Sequence, residues 1–284
     1  MFKKAERTQQ KCKCAITGPS GAGKTHSALL IASGLAETGK VAMIDTENGS
    51  GALYSDLIDY DYVKLSPPYT PDAYVEMINE AEQAGYEVLI IDSLTHAWSG
   101  SGGILDLHDA RGGNFQAWAK VMPCHNQMIN KIQSSDMHII ATIRSKTAYE
   151  VEQNDKKVKV KKLGLKPEQK DSIDYEFTTV FDLERNHYAT CSKDRTGIFD
   201  NKIFIPSKAT GQALLQWLKT GAAVHEVSEH RMSILFNDIV KIEKITELNK
   251  WWRDNHEGLK NELSTKQYQE LIDFCSNKKK ELNK

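Results

Sequence analysis

Nothing in the 284 residues approaches the run of roughly 20 apolar side chains that a membrane-spanning helix needs. The lysine-rich start is followed by no apolar signal core, so the chain is expected to be neither exported nor membrane-inserted, and to work in the cytoplasm. Cysteine is sparse and scattered: Cys12, Cys14, Cys124, Cys191 and Cys275 are odd in number and form no C-x-x-C pair, which argues against a disulfide framework or a zinc ribbon. Cys124 and His125 are neighbours, but no second pair stands at metal-ligand spacing. Net charge is lacking too. A formal charge of −1 excludes a globally basic polyanion binder, so any nucleic-acid surface must be local. No internal repeat and no dominant disorder signature is present, and 40% hydrophobic with 26% charged residues is ordinary for a soluble chain that can bury a full core.

What is present is an alternation of apolar runs and helix-period segments from about residue 12 to 143, the rhythm of a parallel sheet with crossover helices. Strands are expected over 12–17, 41–45, 62–65, 88–91 and 137–143, with helices over 24–38, from Thr70-Pro71 to Gly85, and over 115–134, the last kinked or split at Pro123. Two segments break the rhythm: the glycine-rich 99–113 and the polar, lysine-rich 144–172, both read as long loops. Strands over 177–184, 188–193 and 203–205 and a helix over 210–219 complete the core. From 224 onward the chain reads as helical: 230–245, 247–255, and a last helix opened by a Ser264/Gln267 capping box. The expected organisation is an N-terminal segment 1–11, an α/β core 12–221 with a mainly parallel sheet, and a small helical module 222–284.

The chemistry concentrates in Gly18-Pro19-Ser20-Gly21-Ala22-Gly23-Lys24-Thr25, which fits G-x-x-x-x-G-K-[ST] and lies between an expected strand and helix. Loop amides and the helix N-terminus surround phosphates with positive partial charge, and glycines let the backbone approach closely. Lys24 is expected at the β- and γ-phosphates, Thr25 on Mg²⁺, and Asp92, at the end of the apolar run VLIID, on the far side of that ion. Glu47 follows the strand VAMID, where its carboxylate could polarise a water for attack on the γ-phosphate. A solvent-exposed loop acid is the alternative.

The phrases GPSGAGKT, IDTENGSGALY, LIIDSLTHAW, HIIATIRSKT and SKDRTG together resemble the RecA-like P-loop ATPases, in particular the phage-encoded Sak group of single-strand annealing proteins, over residues 12 to 221. The resemblance implies a RecA-like P-loop core using ATP and Mg²⁺, polymerising as a filament or ring on single-stranded DNA, and working beside a single-stranded-DNA-binding protein. It implies that Tyr54 stacks on adenine and that Lys193 and Arg195 enter the neighbouring subunit's ATP site; a surface pair bonded to Asp194 or Asp200 is the alternative. Phe2 and Ala5 resemble an F-x-x-A tether between subunits, with an ordinary chain terminus as the alternative. Two positions depart from the RecA pattern: Gly51 stands where an acid near adenine belongs, and Thr142 replaces the glutamine that couples DNA to ATP, with Arg144 two residues later.

Residues 144–170 carry nine Lys/Arg against four Asp/Glu, an excess suited to sequence-independent phosphate contact through Arg144, Lys146, Lys156, Lys157, Lys159, Lys161 and Lys162. A solvated charge run is the competing explanation. Trp98, Phe115 and Trp118 flank the glycine-rich segment and could stack bases or fill the core. Trp251, Trp252, Tyr268 and Phe274 are read most simply as the core of the helical module, or else as a partner-binding face. Rival functions remain open: a nucleotide-gated protein-binding scaffold with little turnover, or a hexameric DNA motor or helicase.

Overall fold

The structure, a computed structural model, describes residues 7–154, 157–220 and 229–282, and within 147–164 the backbone alone. The chain divides into two compact units, Gln10–Thr220 and a second made of Gly221–Lys284 with Met1–Gln9. Phe2, Ala5 and Lys156 lie outside the described residues.

The larger unit is an α/β sandwich around one sheet. In chain order its elements are β1 (Lys13–Gly18), α1 (Lys24–Leu35), β2 (Val41–Asp45), β3 (Asp61–Lys64), α2 (Pro71–Gln83), β4 (Val88–Asp92), α3 (Thr95–Ser99), α4 (Ile104–Asp109), α5 (Phe115–Ser134), β5 (His138–Asn154), β6 (Lys157–Pro167), β7 (Thr179–Leu183), β8 (Ala189–Asp194), β9 (Ile203–Phe204) and α6 (Lys208–Lys219). The spatial order is β3-β2-β4-β5-β1-β7-β8-β9, with β6 off this path and paired to β5. Pairing is parallel from β3 to β7 and antiparallel at β7–β8, β8–β9 and β5–β6. Every residue of β1, β2 and β4 is buried, which is why β2 and β4 read as apolar runs up to their terminal aspartates. Leu29, Ile31, Leu35 and Leu214 of α1 and α6 cover one face; Tyr74, Ile78, Met128 and Ile132 of α2 and α5 cover the other.

Several boundaries differ from the sequence-based expectation. Helix α1 ends at Leu35, three residues before the expected Thr38, with the Ala36 N–H bonded to the Ala32 carbonyl. Helix α5 runs unbroken through Pro123, capped by the Asn114 carboxamide, which accepts from the Ala117 N–H. The glycine-rich segment is not one loop, because Ile104 and Leu107 supply enough apolar spacing for the short α4. The lysine-rich segment is not a loop either. Strand β5 continues past the sheet to Asn154 and pairs with β6 as an antiparallel ribbon, consistent with the period-2 alternation in KVKVK.

In the smaller unit the described helices are α7 (Glu229–Val240), α8 (Ile245–Glu262) and α9 (Thr265–Leu282). Helix α8 outruns the expected stop at Asn255, whose side chain instead donates to the Trp251 carbonyl, 2.8 Å away. Ser264 and Gln267 form the reciprocal contacts of a capping box at the start of α9. Trp251, Trp252, Tyr268 and Phe274 pack against a core of Leu235, Ile239, Leu248 and Leu271.

Candidate functional site

The C-terminal ends of β1, β2, β4 and β5 lie side by side, so the loops leaving them converge. Residues 18–25 join β1 to α1. Gly23, at φ +85, caps that helix, and the Lys24 ammonium donates to the Pro19 carbonyl at 3.0 Å, folding the lysine back over its own loop. Burial lowers the Lys24 pKa, while the charges of Asp92 and Glu47 oppose the shift.

Asp92, nearly fully buried at the end of β4, accepts from the Thr25 hydroxyl at 2.6 Å through Oδ2 and from the Thr142 hydroxyl at 2.5 Å through Oδ1. Thr142 stands there because β4 and β5 run in register to Ile91↔Ala141, which sets the next pair side by side. Burial raises the Asp92 pKa, only partly countered by the two hydroxyls. A buried carboxylate beside a threonine hydroxyl is a hard-oxygen donor pair suited to Mg²⁺, which takes few protein ligands and completes its shell with water and phosphate oxygens.

Glu47 does not stand free. Arg144 donates Nε to Oε1 at 2.8 Å and an Nη to Oε2, a bidentate clamp. Burial alone would raise the Glu47 pKa, but the bonds and charge of Arg144 outweigh it and hold the carboxyl below its usual range. The backbone of Arg144 is fixed at both ends, its N–H on the Thr95 hydroxyl and its carbonyl on the Glu168 N–H. It marks the point where β5 leaves the sheet and becomes the ribbon. The structure therefore gives this guanidinium a partner in the phosphate site, apart from the ribbon lysines with which the sequence grouped it.

Asp45 organises the approach to Glu47 by accepting from the Glu47 N–H at 2.6 Å and the Gly51 N–H at 2.9 Å. A Cβ on Gly51 would meet the Met43 Sδ at 2.6 Å and the Asp45 carboxylate at 3.1 Å, so a side chain there would press on both. Tyr54 closes this turn with its ring edge-on to His26, centroids 6.1 Å apart, in the first turn of α1. His26 was not singled out in the sequence, although its place directly after Thr25 was a usable signal. His96 bonds the Thr46 hydroxyl through Nδ1 at 2.6 Å and stacks on Tyr69.

Lys193 and Arg195 lie at the far end of the β7–β8 hairpin. The Lys193 ammonium donates to the Asp174 carbonyl at 2.7 Å and sits over the Tyr175 ring, while Arg195 is exposed. Asp194 caps its own turn instead, accepting from the Thr196 and Phe199 N–H groups. Lys146 is exposed and 3.9 Å from Glu168; Lys157, Lys159, Lys161 and Lys162 lie on β6. Trp98 and Trp118 stack on each other, Trp118 also on His108, whereas Phe115 is 91% exposed.

A mainly parallel sheet with a glycine-lysine-threonine loop after its central strand and a buried aspartate two strands away defines a P-loop ATPase. Residues 10–210 match the model of the AAA domain family, and the chain belongs to that family. No curated protein matches it. Among solved structures, a prototypical ATPase from the type III secretion system of pathogenic bacteria is similar at 14% identity, with 96% of this chain and 80% of that one covered and a TM-score of 0.37, a likeness too slight to place a residue. Among the described residues no helix is long and apolar enough to cross a membrane.

Proposed function

We propose that this ATPase is an ATP-dependent, single-stranded-DNA-binding recombination or annealing protein of the phage Sak kind, acting as a polymer that hydrolyses ATP between subunits. The observation that carries the reading is the continuity of β5: one strand holds Thr142 on Asp92, Arg144 on Glu47, and then half of a ribbon with an excess of positive charge. A polyanion laid on that ribbon acts on the strand that clamps the Glu47 carboxylate.

In this reading the loop amides and Lys24 hold the β- and γ-phosphates, and Tyr54 with His26 borders the base and sugar. Thr25 and Asp92 hold Mg²⁺, which when bound neutralises charge on those phosphates. Glu47, once free of Arg144, accepts the proton of the attacking water. Arg195, exposed on the outer hairpin, is available to a neighbouring subunit's phosphates, where such a cation contributes on the order of 10³ or more in rate.

The test measures phosphate release with and without single-stranded DNA, alongside DNA affinity against salt. DNA is expected to stimulate turnover, and exchanging Lys157, Lys159, Lys161 and Lys162 for glutamine to flatten the salt dependence by about 0.7 per lost phosphate contact. Turnover indifferent to DNA and an unchanged slope would refute the DNA reading and leave the ATPase assignment intact.

A further inference from the structure

Parallel pairing of β1 with β7 sets Thr17 beside Asp182, so the turn leaving β7 stands next to the phosphate loop leaving β1. The two are in close contact: a Cβ on Gly18 would come within 2.8 Å of the Leu183 carbonyl. The turn is itself tightly built, with the Glu184 N–H on the Tyr188 carbonyl and the His187 N–H on the Glu184 carbonyl. His187 sits there in the left-handed region, at φ +69. Its Nδ1 is 3.1 Å from the Ala22 carbonyl, and the same nitrogen would be 3.0 Å from a Cβ on Gly23. A carbonyl can only accept, so Nδ1 carries the hydrogen.

We infer that His187 is a positioning residue for nucleotide binding, bracing the phosphate loop through the Ala22–Gly23 peptide. On one side of that peptide stands Gly23, at φ +85, where the backbone resists rotation least; on the other stands the buried Ala22. A trans peptide is planar, so its carbonyl and N–H point in opposite directions. Anchoring the Ala22 oxygen on the imidazole therefore aims the Gly23 N–H away from the hairpin, and the amide is presented to phosphate already oriented. An unbraced loop must freeze this rotation when the nucleotide arrives. The role extends to any phosphate-bearing nucleotide the loop takes. It rests on the phosphate-loop assignment and is independent of the DNA reading.

Asparagine and aspartate separate bracing from mere packing. They are nearly isosteric and both tolerate the left-handed turn, but only asparagine can donate to the Ala22 carbonyl. Titration of the full chain with a fluorescent ATP analogue in Mg²⁺ is expected to show His187→Asp weakening binding about three- to tenfold, the loss expected for one hydrogen bond, while His187→Asn stays within about twofold of the unaltered chain. The kinetic counterpart is a raised KM with unchanged kcat for the aspartate chain. His187→Gly, which relaxes the turn and removes the donor, carries the same expectation if the aspartate variant folds poorly. Equal affinities for the asparagine and aspartate chains, or a fall in kcat in place of a rise in KM, would overturn the inference. Failure of the unaltered chain to bind the analogue would overturn the phosphate-loop assignment along with it.

Discussion

Replacing Arg144 with glutamine tests whether the clamp on Glu47 restrains catalysis. At about 4 Å between charge centres, with an effective dielectric constant between about 20 and 80, the pair attracts by about 1–4 kcal/mol. The Arg144 side chain is 43% and the Glu47 side chain 24% exposed, which places the interaction at the weaker end, about 1–1.5 kcal/mol. That corresponds to about a five- to tenfold difference in the population of free carboxylate. Arg144→Gln is therefore expected to raise DNA-independent phosphate release by about that factor and to reduce the further stimulation by single-stranded DNA to match. Steady-state turnover at saturating MgATP, with and without DNA, measures both. A drop in turnover of about tenfold or more under both conditions would refute the restraint and assign Arg144 to stabilising charge on the transferring phosphoryl group.

Two further expectations concern Asp92 and Gly51. Burial raises the Asp92 pKa, so this group favours the folded state at low pH and that contribution is lost as pH rises through its raised value; Asp92→Asn should accordingly leave the melting temperature of the nucleotide-free protein at neutral pH unchanged or higher, while abolishing any stabilisation by MgATP. A lower melting temperature without nucleotide would show that the Thr25 and Thr142 bonds outweigh the burial of charge. Gly51→Ala forces a methyl against the fully buried Met43 and is expected to destabilise the larger unit by about 1–3 kcal/mol in a denaturant titration, and an unchanged midpoint would show that the turn can shift.

The sheet was legible because its central strands are buried on both faces and each apolar run ends in a turn signal or a carboxylate. The phosphate loop was legible because its residues are contiguous. What escaped was set by register between distant strands. Nothing local to Thr142 says that it will face Asp92, and nothing local to Arg144 says that it will reach across to Glu47; both follow from how β5 lies between β4 and β1. His187 escaped for the same reason, being 165 residues from the carbonyl it bonds. The ribbon was mistaken for a loop because its lysine density concealed a period-2 pattern, and α4 because glycines surround it.

The ribbon of β5 and β6 has a consequence for its own persistence. A two-stranded ribbon is marginal in water without a third strand or a covering layer, and among the described residues β6 pairs with β5 alone. Five of the eleven residues of β6 are lysines, so the strand repels itself along its length. From Ser145 to Asn154 the ribbon extends about 30 Å at about 3.3 Å per residue, long enough for several phosphates to be neutralised at once. The register sets Glu150 opposite Lys161 and Glu152 opposite Lys159, so two of these charges already meet an opposite one across the ladder. In the DNA-binding reading, a polyanion along the ribbon would offset the charge that remains, making the ligand part of what holds the ribbon in shape.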